Sequence, residues 1–264
     1  MEYILRINNL NTNYFTDFNL NIEPNKYYSI IGRTNSGKTV LCKTISAILP
    51  TTNLITLDNI LLNRKNVNKY IKKLGYVKEY NSKVFIKSKV FNELSYPLLN
   101  LGYSKVYIVR RIKSLLNKLN CLDLIDKNIK DLSLSEKQKI LFIESLLHKP
   151  KLLLIDNAFS LLNEKDYKTI NNYLIEQIYN KKLTVMLFTS NLNYTINTDY
   201  TYLIDNFKIR EFNKTINVLQ NDKLLNQYGL EVPFNIDLSL KLMSYDLIDK
   251  VYLKQEKMVK DIWK

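Results

Sequence analysis

The stretch Gly32-Arg33-Thr34-Asn35-Ser36-Gly37-Lys38-Thr39 decides the fold. Two of the chain's five glycines fall in it, at the spacing G-x-x-x-x-G-K-[ST]. It follows Tyr27-Tyr28-Ser29-Ile30-Ile31, which reads as a buried strand. It precedes Leu41, Ile45, Ile48 and Leu49, which recur at helical spacing as far as Pro50. Strand, glycine loop and helix in that order are the context in which this pattern cradles phosphate. Glycine lets the backbone turn tightly and approach an anion with no side chain between them. The N–H groups of the loop and of the helix start then point at the anion. Lys38 is expected to reach the β- and γ-phosphates, and the Thr39 hydroxyl to hold Mg²⁺.

Outward from the loop, strand and helix patterns alternate. Residues 3–7 and 18–22 alternate apolar and polar positions, and Leu54 to Leu57 is a further strand. Residues 67–74 read as helix and Gly75-Tyr76-Val77 as a short strand. From about 80 to 130 the pattern is mostly helical, with a stripe of Val109, Ile112, Leu116 and Leu119. Residues 135–147 predict a helix with Ile140, Ile143 and Leu147 inward. Lys151 to Ile155 is a buried strand, Ile170, Leu174 and Ile178 mark a helix, and Leu183 to Phe188 a strand. Tyr202–Ile204 and Phe207–Phe212 suggest a closing hairpin, and after Asn217 only short helices are expected. The alternation argues for an α/β layered sheet. Asp156 closes a buried strand, where a carboxylate either holds Mg²⁺ through water or caps the next turn.

Composition narrows the classes. The chain has 264 residues, 46 % of them apolar and 24 % charged, ordinary for a soluble globular protein with a sizeable core. No run of eighteen apolar residues exists, and Glu2 stands where a signal peptide carries positive charge, so a cytosolic location is expected. Cys42, Cys121 and the single histidine, His148, exclude a disulfide framework, a Cys-rich zinc site and a histidine-based metal site. They also argue against His-dependent nucleophilic catalysis. His148 is expected to have a surface role. The net charge of +14 suits nucleic acid, an anionic membrane face or phosphate ligands. It equally suits drift of base composition, because the basic residues are spread along the chain.

The order of these features resembles the ABC transporter ATPases. The phosphate loop is followed by about fifty mostly helical residues, then Leu132-Ser133 opening a helix, then Asp156. Pro50-Thr51-Thr52-Asn53-Leu54-Ile55 resembles that family's turn and strand after the first helix. Tyr96-Pro97-Leu98-Leu99-Asn100-Leu101-Gly102 and Gly229-Leu230-Glu231-Val232-Pro233-Phe234 resemble the energy-coupling-factor branch, which takes up vitamins and metal ions. The resemblance implies a P-loop, ABC-type nucleotide-binding domain over residues 1–216, a layered mixed sheet with helices. A helical subdomain is inserted at about 80–132, and a C-terminal helical dimerisation extension covers 217–264.

It also implies ATP and Mg²⁺ as ligands, and a dimer in which each phosphate loop faces the partner's LSGGQ signature. The nucleotide-binding set is then Gly32, Arg33, Thr34, Asn35, Ser36, Gly37, Lys38, Thr39 and Val40, with Thr39, Asp156 and Glu79 around Mg²⁺. Val40 lacks the hydroxyl the family has there.

The resemblance also shows departures. The signature aligns with Ser133, Leu134, Ser135 and Glu136 after Leu132; both glycines are gone, and Ser133-x-x-Glu136 is equally a plain capping box. Asn157 stands at the family's catalytic glutamate and Ser190 at its switch histidine. An amide orients water but accepts no proton at neutral pH. Glu79 occupies the position of the family's glutamine, where a carboxylate can still bind Mg²⁺-bound water, and it is the one candidate for a substitute base. Asn163 replaces an aspartate. Tyr14 is the nearest candidate to stack on adenine, or else packs in the core.

The expected protein is an ATP-binding subunit with weak or absent hydrolysis in its own site. A second, different ATPase chain is expected rather than a homodimer, together with a membrane-embedded subunit docking near Glu79 to Asn100, at the cytoplasmic face of the cell membrane. Lys83, Lys87 and Lys89 there either face lipid headgroups or are simply solvated. Two alternatives stand beside this one. One is a P-loop protein acting on nucleic acid, for which no motif is found; the other is a regulatory scaffold that keeps ATP for structure.

Overall fold

The structure is a computed structural model describing residues 2–50, 54–253 and 255–262. The turn expected at Thr51–Asn53 lies outside the described residues. The phosphate-loop strand, β3 (Tyr27–Ile31), is buried at every position. It sits inside a six-stranded sheet of order β10-β9-β3-β8-β7-β6. Its neighbours are β8 (Thr184–Thr189) and β9 (Tyr200–Asp205); beyond them lie β7 (Leu152–Asp156), β6 (Leu74–Lys78) and β10 (Lys208–Lys214). Five strands are parallel and β10 is an antiparallel edge. Strands buried on both faces need continuous apolar sequence, which Leu152-Leu153-Leu154-Ile155 supplies.

A second, antiparallel sheet has the order β2-β1-β4-β5, with β1 (Leu5–Leu10), β2 (Phe18–Ile22), β4 (Ile55–Leu57) and β5 (Ile60–Leu61). Between the two sheets lies a core that includes Leu5, Ile7, Leu20, Tyr28, Leu154 and Met186, with Leu41 and Ile45 from α1 (Lys38–Ile45). The other face of the large sheet carries α3 (Val90–Asn100), α4 (Lys105–Lys118), α5 (Leu134–Leu146) and α6 (Glu164–Tyr179), packed through Leu94, Ile112, Ile143 and Ile170. A five-residue α2 (Val67–Ile71) precedes β6. The C-terminal helices α7 (Thr215–Leu219), α8 (Asp222–Gln227), α9 (Phe234–Ser244) and α10 (Gln255–Ile262) follow β10. α7, α8 and α9 build a third core around Val218, Leu219, Leu225 and Ile236, and Met258 of α10 packs in a separate cluster with Ile248 and Tyr252.

Several expectations need correction. The helix after the phosphate loop does not run to Pro50. It stops at Ile45, because Ala47 turns left-handed (φ 59°). The Ile48 and Ala47 N–H groups then bond back to the Lys43 and Thr44 carbonyls, a Schellman ending that leaves Ile48 exposed. The helix expected at 67–74 gives way to β6 at Leu74. Residues 80–89 form no helix, so the helical region begins at Val90. The stripe of α4 is Ile108, Ile112, Leu115 and Leu116; Val109 is 38 % exposed. The boundary drawn at 216/217 falls inside α7, whose Thr215 hydroxyl bonds Thr201 of β9 at 2.9 Å.

Candidate functional site

Strand register assembles the site. Lys78, Asp156 and Phe188 lie abreast across β6, β7 and β8, and Thr189 lies abreast of Ile31. One residue further along each chain come Glu79, Asn157, Ser190 and Gly32. They stand at the carboxyl ends of parallel strands, where α/β sheets bind ligands. The cleft there has a volume of about 770 Å³ and is lined by Lys38, Thr39, Glu79, Asp156, Asn157 and Ser190 among others. Thr34, Asn35, Gly37 and Val40 also line it, with Lys43, Tyr76, Lys78, Phe188 and Phe207. Gly32 and Ser36 lie outside its lining, and exposed Arg33 pairs with Asp205, Nε to Oδ1 3.2 Å.

The loop has the shape of an anion cradle. A Cβ on Gly32 would lie 2.2 Å from the Ile204 carbonyl and 2.6 Å from Ser36 Oγ, so no side chain fits. Gly37 is the N-cap of α1 at φ 109° and offers no side chain to the helix start. The N–H groups of the first turn therefore remain for a ligand. Lys38 Nζ is held by the Arg33 carbonyl at 2.9 Å, by the Gly32 carbonyl and, at 3.4 Å, by Ser36 Oγ. Burial pushes its ammonium down to about 8, against the pull of the Asp156 charge. A half-buried cation whose hydrogen-bond partners are all neutral gains from an arriving anion.

Thr39 Oγ1 donates to Asp156 Oδ1 at 3.1 Å, and Tyr76 OH to Asp156 Oδ2 at 3.4 Å. Burial raises the Asp156 carboxyl, and those two hydrogen bonds oppose it. A hydroxyl beside a carboxylate is the donor set of a hard cation such as Mg²⁺. Among the described residues no group of three His, Cys, Asp or Glu could hold a metal by itself, so phosphate oxygens and water would have to complete the shell.

The replaced positions also meet here. Asn157 Nδ2 donates to Glu79 Oε2 at 2.9 Å, and Asn157 itself is left-handed (φ 52°), which asparagine tolerates better than glutamate. Ser190 is exposed at the cleft's edge. Gln138 is a residue the sequence reading missed. It is fully buried on α5, accepts from the Tyr80 N–H at 2.8 Å and donates to the Lys78 carbonyl at 3.1 Å. It thereby clamps both sides of Glu79. A polar residue next to an apolar helical face was its only signal.

Ser133, Leu134, Ser135 and Glu136 do not line the cleft. They make a complete capping box: Ser133 Oγ accepts from the Glu136 N–H at 3.2 Å, and Glu136 Oε2 from the Ser133 N–H at 2.8 Å. Ser135 Oγ donates to Asp166 Oδ2 at 2.7 Å, and Asp166 also pairs with buried Lys139 at 2.7 Å. Asn163 is the N-cap of α6, accepting from the Asp166 N–H at 2.8 Å.

His148 is not a free surface side chain. It is half-buried, with Nε2 2.9 Å from the Leu74 carbonyl, tying the end of α5 to β6. Burial lowers its pKa. Tyr14 is 52 % exposed, so it is not a core residue. Its ring meets Phe207 with centroids 5.6 Å apart. Phe207 was also missed. It is the second residue of the turn between β9 and β10, where Asn206 (φ 49°) and Phe207 (φ 61°) are both left-handed. Glycine is the usual residue there, and a bulky side chain costs roughly 1–2 kcal/mol. Phenylalanine at that place was the available signal.

Comparison with known proteins places the chain among relatives. A family model described as "ABC transporter" matches residues 15–160. The chain is 26 % identical to the energy-coupling factor transporter ATP-binding protein EcfA of Pediococcus pentosaceus, over 100 % of this chain and 97 % of that one. It is 27 % identical to the protein of the same name from Aster yellows witches'-broom phytoplasma, over 93 % and 89 %. The structure of cbiO1 from Clostridium perfringens, part of the ABC transporter complex cbiONQ, superposes with a TM-score of 0.76 at 20 % identity, covering 93 % of this chain and 98 % of that one.

Proposed function

The chain belongs to the ABC transporter family, and from that premise we propose that it is the ATP-binding subunit of an energy-coupling-factor type transporter. It pairs with a second ATPase chain, different from itself, and with a membrane-embedded subunit at the cytoplasmic face of a membrane, and it helps power uptake of a small solute. Its own site hydrolyses ATP slowly or not at all. The relatives' names and their near full-length coverage support the branch. No described helix is long and apolar enough to cross a membrane, so the membrane path is assigned to the other subunit.

One observation carries the division between binding and hydrolysis. The cradle, Lys38 and the Thr39–Asp156 pair are in place, while the group beside Asp156 is an amide bonded to Glu79. Gly32 and Gly37 let the loop backbone close on the phosphates, and Lys38 supplies the cation. Thr39 and Asp156 would hold Mg²⁺, which neutralises phosphate charge. Asn157 can orient a water molecule but takes no proton from it; loss of a general base costs about 10²–10⁴ in rate. Ser190 can hydrogen-bond phosphate but brings no positive charge. Bound ATP then acts by its greater affinity for the closed pair than for the open one.

An apolar groove of about 500 Å³ between α3 and α4, lined by Phe91, Tyr96, Leu99, Ile108 and Val109 among others, is the place offered to the membrane subunit. The test is transport by the reconstituted complex. Lys38→Met in this chain alone is expected to abolish or strongly reduce uptake. Uptake unchanged by that substitution would instead support the scaffold that keeps ATP for structure.

A further inference from the structure

Phe207 holds a conformation its side chain disfavours. Left-handed backbone suits glycine, asparagine or aspartate, and a bulky residue there is an outlier. Such outliers persist where the surroundings over-determine them, and they gather at ligand sites. The surroundings here are specific. The Phe207 N–H donates to the Ser36 carbonyl inside the phosphate loop at 3.0 Å. Its ring lies so close to Gly37 that a Cβ there would meet Cδ1 at 2.7 Å. The ring stands edge-on to buried Phe15 at 5.6 Å and at 31° to Tyr14 at the same distance. Phe207, on the wall of the cleft, thus joins a core aromatic to exposed Tyr14, which lines a separate pocket with Thr44 and Pro50.

Among the described residues the hydrogen bond of Tyr14 is a backbone one, N–H to Thr12 Oγ1 at 3.2 Å, which does not hold its ring. Centroids 5.6 Å apart leave no room for a planar group between the two rings, so only the outer face of Tyr14 is open to one. We infer that Phe207 is a positioning residue for the nucleobase: it backs the Tyr14 ring, so that the ring's free face stacks on the base of a nucleotide whose phosphates sit in the cradle. The inference rests on the nucleotide-binding reading above and goes beyond it, because it assigns a residue outside the phosphate loop to the affinity for the base.

The experiment compares two ligands that share phosphates and differ in the base. Binding of MgATP and of inorganic magnesium tripolyphosphate is measured calorimetrically on the full chain. Phe207→Gly restores the residue the turn prefers and keeps the backbone bond to Ser36. It is expected to weaken ATP about tenfold, the scale of one base–aromatic stack, and tripolyphosphate by less than about twofold. Phe207→Tyr is expected to keep wild-type affinity for both. Tyr14→Ala should reproduce the selective loss, and the double variant should lose no more than Tyr14→Ala alone, since Phe207 acts through Tyr14. If Phe207→Gly fails to fold, Phe207→Asn takes its place. Equal losses for both ligands, no loss for either, or additive losses in the double variant would each overturn the inference. A wild-type chain that binds neither ligand would overturn the function reading itself, and would show before any variant is made.

Discussion

Two helices of this protein begin just after a loop, and they treat their first N–H groups in opposite ways. α1 starts at Gly37, with no side-chain cap and no acidic residue in its first turn. α5 starts at Ser133, and Ser133 and Glu136 close a reciprocal capping box over it. The unsatisfied donors of a helix start are an anion site when left open and a source of stability when capped. The first arrangement keeps a place for phosphate. The second spends the same donors on the fold and sets the Glu136 carboxylate where an incoming phosphate would be repelled. In a family whose sites join these two helix starts from different chains, the difference predicts that this chain receives nucleotide well at α1 and presents a poor surface to its partner's nucleotide at α5.

The sharpest way to break that contrast is at α1. Lys38→Met is expected to lower MgATP affinity by about a hundredfold, the worth of charge-assisted bonds to phosphate, with the circular-dichroism spectrum unchanged; titration calorimetry measures it. A second test asks whether chemistry was lost at the cleft's far wall. Asn157→Glu with Ser190→His, assayed beside the intact partner chain, is expected to raise turnover by about tenfold to a hundredfold. That is less than the full value of a base, because Glu must adopt the left-handed backbone at position 157 and because α5 is unchanged. No gain at all would place the limit at the start of α5.

The remaining tests sharpen the view of α5 as a structural helix. Glu144 lies on it, and burial, with the nearby Glu93 charge second, pushes its carboxyl up to about 7. An acid whose pKa is higher folded than unfolded contributes stability below the unfolded value, and loses it as pH rises through the folded one. Glu144→Gln does not titrate. Its stability relative to wild type should therefore be near parity at pH 4.5 and rise by roughly 1–3 kcal/mol by pH 8, read by urea unfolding at both values. The smallest effect is expected from Ser133→Ala, which removes half the capping box. It should destabilise the chain by about 1 kcal/mol and leave ATP affinity within error.

The sequence made the sheet legible because its strands are buried on both faces. Ile30-Ile31 and Leu152 to Ile155 admit little besides a central strand, and the glycine loop between strand and helix fixed where phosphate binds. Helix ends were less legible. The stop after Ile45 depends on Ala47 adopting a conformation that no residue type there advertises. Pairings across the fold were not legible at all. His148 reaches the Leu74 carbonyl and Gln138 clamps the chain on both sides of Glu79 through the packing of α5 on β6, and Asn157 bonds Glu79 through the register of β6 and β7; single residues encode neither. Phe207 sits between these cases: the hairpin was readable, but not that its turn would press a ring against Gly37.

The central claim is that this chain keeps ATP binding and has largely given up hydrolysis. It is tested most directly by mixing the purified chain, in excess, with radiolabelled MgATP and following the label through a single turnover. The account predicts that ATP binds and remains ATP for hours. Conversion to ADP at an ordinary enzymatic rate, about 1 per second or faster, would contradict it and make Glu79 the base to substitute next.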